Sequence, residues 1–261
     1  MYRLEKFFSV LDEYAPLKLS HKMIEKGDYD NSGIIVELKQ DVERVLFSLD
    51  LSCDTVLYAV EKGCDTIVTH HPAIYQPIKS LSYKDSTAPL LMAIRNGINV
   101  ISMHLNLDVA KYGVDYYLMQ STLTDKECKI LDFVDGECGY GREAETDFLL
   151  DVLVGNLKKT LQTDKVIVYG KGEAGVVATF CGGGSSHALS LVLQGKTKAD
   201  TIITSDMPHH VIKELIEKDK NIILIPHYVA EEYGFNKFYA YIKEQLNGKV
   251  QAYYFDDKRF K

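Results

Sequence analysis

Two short runs constrain this chain more than any other feature. Asp65-Thr66-Ile67-Val68-Thr69 recurs as Asp200-Thr201-Ile202-Ile203-Thr204, and the next apolar run recurs too, Asn99-Val100-Ile101 against Asn221-Ile222-Ile223. Likeness among buried strands accounts for the shared Ile and Val. It accounts poorly for the histidine that comes after each second run, with an acid four residues on: His104 with Asp108, then His227 with Glu231. Ordered similarity of this kind marks a duplicated structural unit.

Around these runs, β-branched stretches alternate with helical patterns. Ile34-Ile35-Val36, Arg44 to Leu49, Asp65 to Thr69 and Ile98 to Met103 read as strands; Cys53 to Lys62 (stopped by Gly63) and the segment from Ser86-Thr87 to Asn96-Gly97 read as helices. Strand–helix–strand crossovers make neighbouring strands parallel. Leu4, Phe7, Phe8 and Leu11 open the chain with an amphipathic helix, and another begins near Val114. In the middle, Asp135 to Gly141 reads as a loop and Phe148 to Leu161 as a helix. Strands come next at Lys165 to Tyr169 and Ala174 to Phe180, then a helix through Leu193 and the strand Asp200 to Thr204. A further helix, the strand Asn221 to Ile225, a long helix from Glu231 and an edge strand Val250 to Phe255 complete the pattern. The expected class is α/β with largely parallel sheets. Two similar units are expected, residues 1–125 plus 226–261 and residues 126–225, with one composite site between them.

At 261 residues the chain can bury a substantial core, and a net charge of −7 argues against a nucleic-acid surface as its main role. No apolar run is long enough to span a bilayer, and the N-terminal residues lack a signal-peptide core. The five cysteines are an odd number without a Cys-x-x-Cys pair, which suits a reduced, cytoplasmic protein with cysteines as small core residues. The 17 tyrosines show no spacing that marks a stacking platform.

The strand Asp65 to Thr69 runs into His70-His71-Pro72. In mid-strand, adjacent side chains point to opposite faces. At a strand end entering an X-Pro turn the alternation breaks, and both imidazoles can converge where open α/β sheets place their sites. If an approximate dyad relates the halves, His70, His71, Asp108, His227 and Glu231 face one cleft. His227 and Glu231 share a helix face if that helix starts early enough. Three imidazoles and two carboxylates exceed one tetrahedral ion and suit two divalent metals; nitrogen and oxygen ligands without thiolate leave zinc, iron, manganese, nickel and cobalt open.

These residues carry a resemblance. His70-His71-Pro72 with Pro77-Ile78-Lys79-Ser80-Leu81, His104-Leu105-Asn106-Leu107-Asp108 and His227-Tyr228-Val229-Ala230-Glu231, in that order, resemble the motifs of the NIF-three-like dinuclear metal proteins, also labelled GTP cyclohydrolase I type II homologues. Asp30-Asn31-Ser32-Gly33, the Gly182 to Ser186 loop and Thr204-Ser205-Asp206 with His209-His210 fit as well. The resemblance implies two α/β subdomains around a shared cleft and a toroidal homohexamer; the insertion domain of some members is missing here, so no insertion domain is expected. It also implies metal ligands at His70, His71, Asp108, His227 and Glu231, with Glu231 as the bridge. Leu105 departs from a usual threonine, Ser205 from a usual glycine, and the tryptophan common before Asp-Asn is missing; none of these removes a ligand.

His104, four residues before a ligand, reads as a proton carrier. Asp206 and His210 read as substrate contacts, with helix capping as the alternative for Asp206. Lys79 stands near enough in sequence to meet an anionic substrate. Gly182-Gly183-Gly184-Ser185-Ser186 could cradle phosphate, but lacks the Walker lysine and dinucleotide spacing, so a tight turn suits it better. The chemistry expected is metal-dependent hydrolysis, and the family label adds the guanine ring of GTP, hence a small-molecule, nucleotide substrate. A phosphoesterase acting on nucleotides or phosphate esters would use the same residues, and a non-catalytic metal-handling protein is the alternative of another class.

Overall fold

The computed structural model describes residues 2–261. Among these residues it divides into two compact units, residues 2–107 with 235–257, and residues 108–234 with 258–261.

The first unit opens with β1 (Tyr2–Arg3), α1 (Leu4–Tyr14), α2 (Leu17–Glu25), β2 (Gly33–Val36) and β3 (Asp41–Val42). It continues through β4 (Arg44–Ser48), α3 (Cys53–Lys62), β5 (Thr66–Thr69), α4 (Ala88–Arg95) and β6 (Asn99–Ser102). The chain then enters α5 (Leu105–Val109), α6 (Val114–Thr122), β7 (Lys129–Asp135), β8 (Cys138–Glu145) and α7 (Leu150–Leu161). Next come β9 (Ile167–Tyr169), β10 (Val176–Thr179), α8 (Ser185–Leu193), β11 (Thr201–Thr204), α9 (His209–Ile216) and β12 (Asn221–Leu224). It ends with α10 (His227–Leu246), β13 (Gln251–Phe255) and a 3-10 turn at Lys258–Phe260.

The first unit's main sheet has the order β13-β4-β5-β6-β2, parallel throughout except for antiparallel β2. Every residue of β5 and β6 is buried, as expected of strands covered on both faces. On one face Leu46, Ile67 and Val100 pack with Val56 and Ala59 of α3 and Ala93 of α4. α3 begins as its sequence dictates, the Ser52 hydroxyl accepting the Thr55 N–H, and ends at Gly63 in the left-handed conformation. Phe47 meets Phe235 and Phe238 of α10, adding aromatic area to this core.

The second unit's sheet has the order β7-β8-β10-β11-β12-β9. Here the expectation of a largely parallel sheet fails. Only β10–β11 and β11–β12 are parallel; β7–β8, β8–β10 and β9–β12 are antiparallel. The expected loop from Asp135 to Gly141 is a hairpin, with a turn at Gly136-Glu137 and β8 beginning at Cys138. A Cβ on Gly139 would collide with the Asp132 carbonyl oxygen. Close cross-strand approach therefore explains a glycine that composition alone assigns to a loop.

Within each sheet the echoed residues make the same bonds. In the first unit β4, β5 and β6 run parallel with β2 antiparallel at the β6 edge; in the second, β10, β11, β12 and β9 repeat that order and polarity. Thr66 pairs with Asn99, and Thr201 with Asn221. Asp65 Oδ2 accepts the Arg44 N–H as Asp200 Oδ2 accepts that of Val176. Asn99 Oδ1 accepts the Lys39 N–H, as Asn221 Oδ1 accepts that of Lys171; each Asn Nδ2 lies 3.4 Å from its threonine hydroxyl. The Asp-Thr-Ile and Asn repeats thus specify a β-unit through side-chain bonds to its flanking backbone. The repeat stops at the third neighbour, where β13 is parallel to β4 but β8 antiparallel to β10.

Candidate metal centre

In the first unit, β5 delivers His70 and His71. The Leu49 carbonyl accepts both of their N–H groups, at 3.1 and 3.0 Å, and the Thr69 hydroxyl donates to the His71 carbonyl. The regular ladder ends there, and the two rings converge with centroids 5.0 Å apart. His104, at the end of β6, joins them at 5.3 Å from His70 and 5.9 Å from His71.

Each imidazole is held through Nδ1. His70, fully buried, donates to the Met103 carbonyl (2.8 Å), His71 to Asp50 (2.7 Å) and His104 to Asp30 (2.8 Å). That arrangement fixes the tautomer and leaves Nε2 as the atom a metal would meet. Asp30 also accepts hydroxyl bonds from Ser20 and Ser32, while the Ser32 hydroxyl accepts the His104 N–H. Burial pushes the Asp30 carboxyl up, but the hydrogen bonds from His104, Ser20 and Ser32 outweigh it and hold it below its ordinary value.

In the second unit, α10 starts at His227 rather than near Glu231, because Pro226 ends the preceding segment and leaves His227 in the first turn. The i,i+4 pair therefore shares one face, with His227 Nε2 2.8 Å from Glu231 Oε1. His227 Nδ1 is held by Asp206 at 2.5 Å. Glu231 and Asp108 are both buried. Gly182, at φ +66°, packs against Glu231 and His227; a Cβ there would come 2.5 Å from Glu231 Oε1. The glycine run makes room for a carboxylate.

Behind that turn, Asp115 Oδ1 accepts the Cys181 N–H at 3.2 Å, and Asp115 Oδ2 lies 3.7 Å from Nε of the buried Arg142. Burial raises Asp115 to about 7 despite Arg142. Burial, reinforced by Glu231, Asp108 and Asp115, also keeps the Cys181 thiol well above its ordinary value, so no thiolate is on offer here.

Histidine, aspartate and glutamate side chains able to hold a metal ion thus include His70, His71, His104, Asp108 and Glu231. The donor set fits a divalent metal: anchored imidazoles, buried carboxylates and no competing thiolate. Asp206 does not cap α9, whose N-cap is Pro208; it orients His227. His210 lies on the exposed start of α9, in a surface depression with Ser186, Leu189 and Gln194. Lys79 is exposed on the loop after the His-His-Pro turn. Sequence reasoning passed over Asp50 and gave Asp30 no role. Both lie outside regular elements, Asp50 just beyond β4, and a search of strand ends for carboxylates would have found Asp50.

A protein of Clostridium perfringens described as "GTP cyclohydrolase 1 type 2 homolog" is 27% identical over 254 residues, covering 95% of this chain and 94% of that one. A Drosophila melanogaster NIF3-like protein 1 is 24% identical over 242 residues, covering 91% and 80%. The crystal structure of Staphylococcus aureus protein SA1388 superposes with a TM-score of 0.83 at 22% identity, over 99% of this chain and 98% of that one, and so shares the fold. The DUF34/NIF3 (NGG1p interacting factor 3) family profile matches residues 2–259, and the chain belongs to that family.

Proposed function

We propose that this protein binds two divalent metal ions through His70, His71, Asp108, His227 and Glu231, and that it is a metal-dependent hydrolase acting on a small molecule of the nucleotide kind. The observation that carries the metal reading is the shared anchoring of His70, His71, His104 and His227, each through Nδ1 to a carbonyl or carboxylate. Histidines in metal sites are oriented in this way. When bound, such ions polarise a substrate oxygen and make water a nucleophile near neutral pH.

The chain's own residues would do the rest. Asp50 and Asp206 hold their imidazoles, and His227 and Glu231, which share one face of α10, would both be ligands to a bound cation. Asp30 holds the His104 ring through Nδ1, and the ring so positioned would serve as the proton carrier. The hydrolase reading is supported by the description of the Clostridium perfringens relative as a GTP cyclohydrolase 1 type 2 homolog, and a homohexamer and a cytoplasmic location belong to the same reading. Among the described residues no helix is long and apolar enough to cross a membrane.

The test is metal content per chain on protein purified without chelator, for wild type and Glu231→Ala. About two ions per chain, sharply reduced in the variant, is the expected outcome. No bound metal, and no uptake when zinc, iron or manganese is supplied, would overturn the proposal.

A further inference from the structure

Tyr29 and Tyr75 stand on the two loops that flank the first unit's histidines, Tyr29 immediately before Asp30 and Tyr75 shortly after the His-His-Pro turn. Asn31 Nδ2 donates to the Ile74 carbonyl at 2.7 Å and ties these loops together. The two rings meet edge to face, with centroids 5.3 Å apart and planes at 66°. Tyr75 in turn meets the His104 ring at 6.2 Å and 81°. A run of rings therefore leads outward from buried His70 through His104 to Tyr75 and Tyr29.

The outer rings are half open, Tyr29 being 46% and Tyr75 49% exposed. An edge-to-face pair uses one ring's edge and the other's face, so flat aromatic surface stays available to a third group. Paired rings left in water are ill suited to core packing and well suited to a planar partner. The contact of Tyr75 with His104 says which partner: a molecule seated on Tyr75 lies one ring away from the anchored histidines, where the reacting group of a substrate would be.

We infer that Tyr75 and Tyr29 form a stacking subsite for the flat, nitrogen-containing ring of a substrate whose reacting group meets the His70–His71–His104 cluster. The inference rests on the proposed function for where the chemistry occurs, and it assigns the residues that would hold the substrate's ring. The rings supply stacking energy without reading the identity of the base.

The test is equilibrium dialysis of guanosine 5′-phosphate, adenosine 5′-phosphate and ribose 5-phosphate against protein purified without chelator. Wild type, Tyr75→Ala, Tyr29→Ala and Tyr75→Phe are compared, with metal content and oligomeric mass recorded for each. Both nucleotides should bind more tightly than ribose 5-phosphate. Tyr75→Ala should weaken them by about 5- to 150-fold, the range that loss of one stacked base gives, and Tyr29→Ala should weaken them less. Ribose 5-phosphate should be unaffected, and Tyr75→Phe should keep the nucleotide affinity. The subsite is overturned if the nucleotides bind wild type no better than ribose 5-phosphate, or if Tyr75→Ala leaves their affinity unchanged. A fall in oligomeric mass with unchanged affinity would make the tyrosines a face between copies and overturn it equally. Absence of metal would defeat the metal reading alone, because the affinity comparison still decides the stacking.

Discussion

At the scale of single residues, the histidines are defined by the groups that hold their Nδ1 atoms. Asp50 is the informative case, because it is 44% exposed and contributes little to the core. Removing it should disturb His71 without disturbing the fold. Asp50→Ala is expected to lower metal affinity about 10- to 100-fold, the usual cost of losing a partner behind a metal ligand, with little change in Tm. Competition against a fluorescent chelator measures the first and a thermal melt the second; equal affinity in the two proteins would remove Asp50 from the site. Residue types made His70, His71, Asp108, His227 and Glu231 conspicuous in the sequence. Asp50 and Asp30 carry no such mark, because their role comes from a neighbour brought up by folding.

At the scale of elements, the two sheets show how a short repeat specifies a strand pair. Asn99 satisfies the Leu38 and Lys39 N–H groups and the Lys39 carbonyl, and Asn221 does the same kind of work for Lys171 and Glu173. Asn99 is fully buried and Asn221 is not. Asn99→Ala is therefore expected to cost about 1–3 kcal/mol, the penalty of stranding buried backbone groups, and Asn221→Ala less. Urea unfolding of the two variants tests this, and equal costs would contradict the burial argument. The strands that repeat were legible because each is a run of β-branched residues. The β7–β8 hairpin was not, since glycines at 139 and 141 interrupt its pattern where the chain needs close approach.

At the scale of the whole molecule, acid–base behaviour arises from the buried pair in the second unit. Asp115 is raised from 3.8 to about 7, chiefly by burial. Between those values the folded state keeps a proton that the unfolded chain has released, so this group favours folding at the acid end and the contribution is lost as pH rises through about 7. Asp115→Asn carries no titrating proton. The stability of wild type relative to Asp115→Asn should therefore fall between about pH 5 and pH 7.5, as read by urea unfolding at each pH. A constant difference would mean that Arg142, 3.7 Å away, keeps the carboxylate charged throughout.

The linear chain determined the α/β alternation, the duplicated strand unit and the ordered histidine–acid motifs, because periodicity, β-branched runs and residue chemistry are local properties. Folding alone decided the polarity of the second sheet, the Nδ1 partners of the imidazoles, the packing of Gly182 against Glu231 and the meeting of Tyr29 with Tyr75. Each of these joins residues distant in the chain. Their partners are chosen by which backbone and side-chain atoms must be satisfied once the strands have paired.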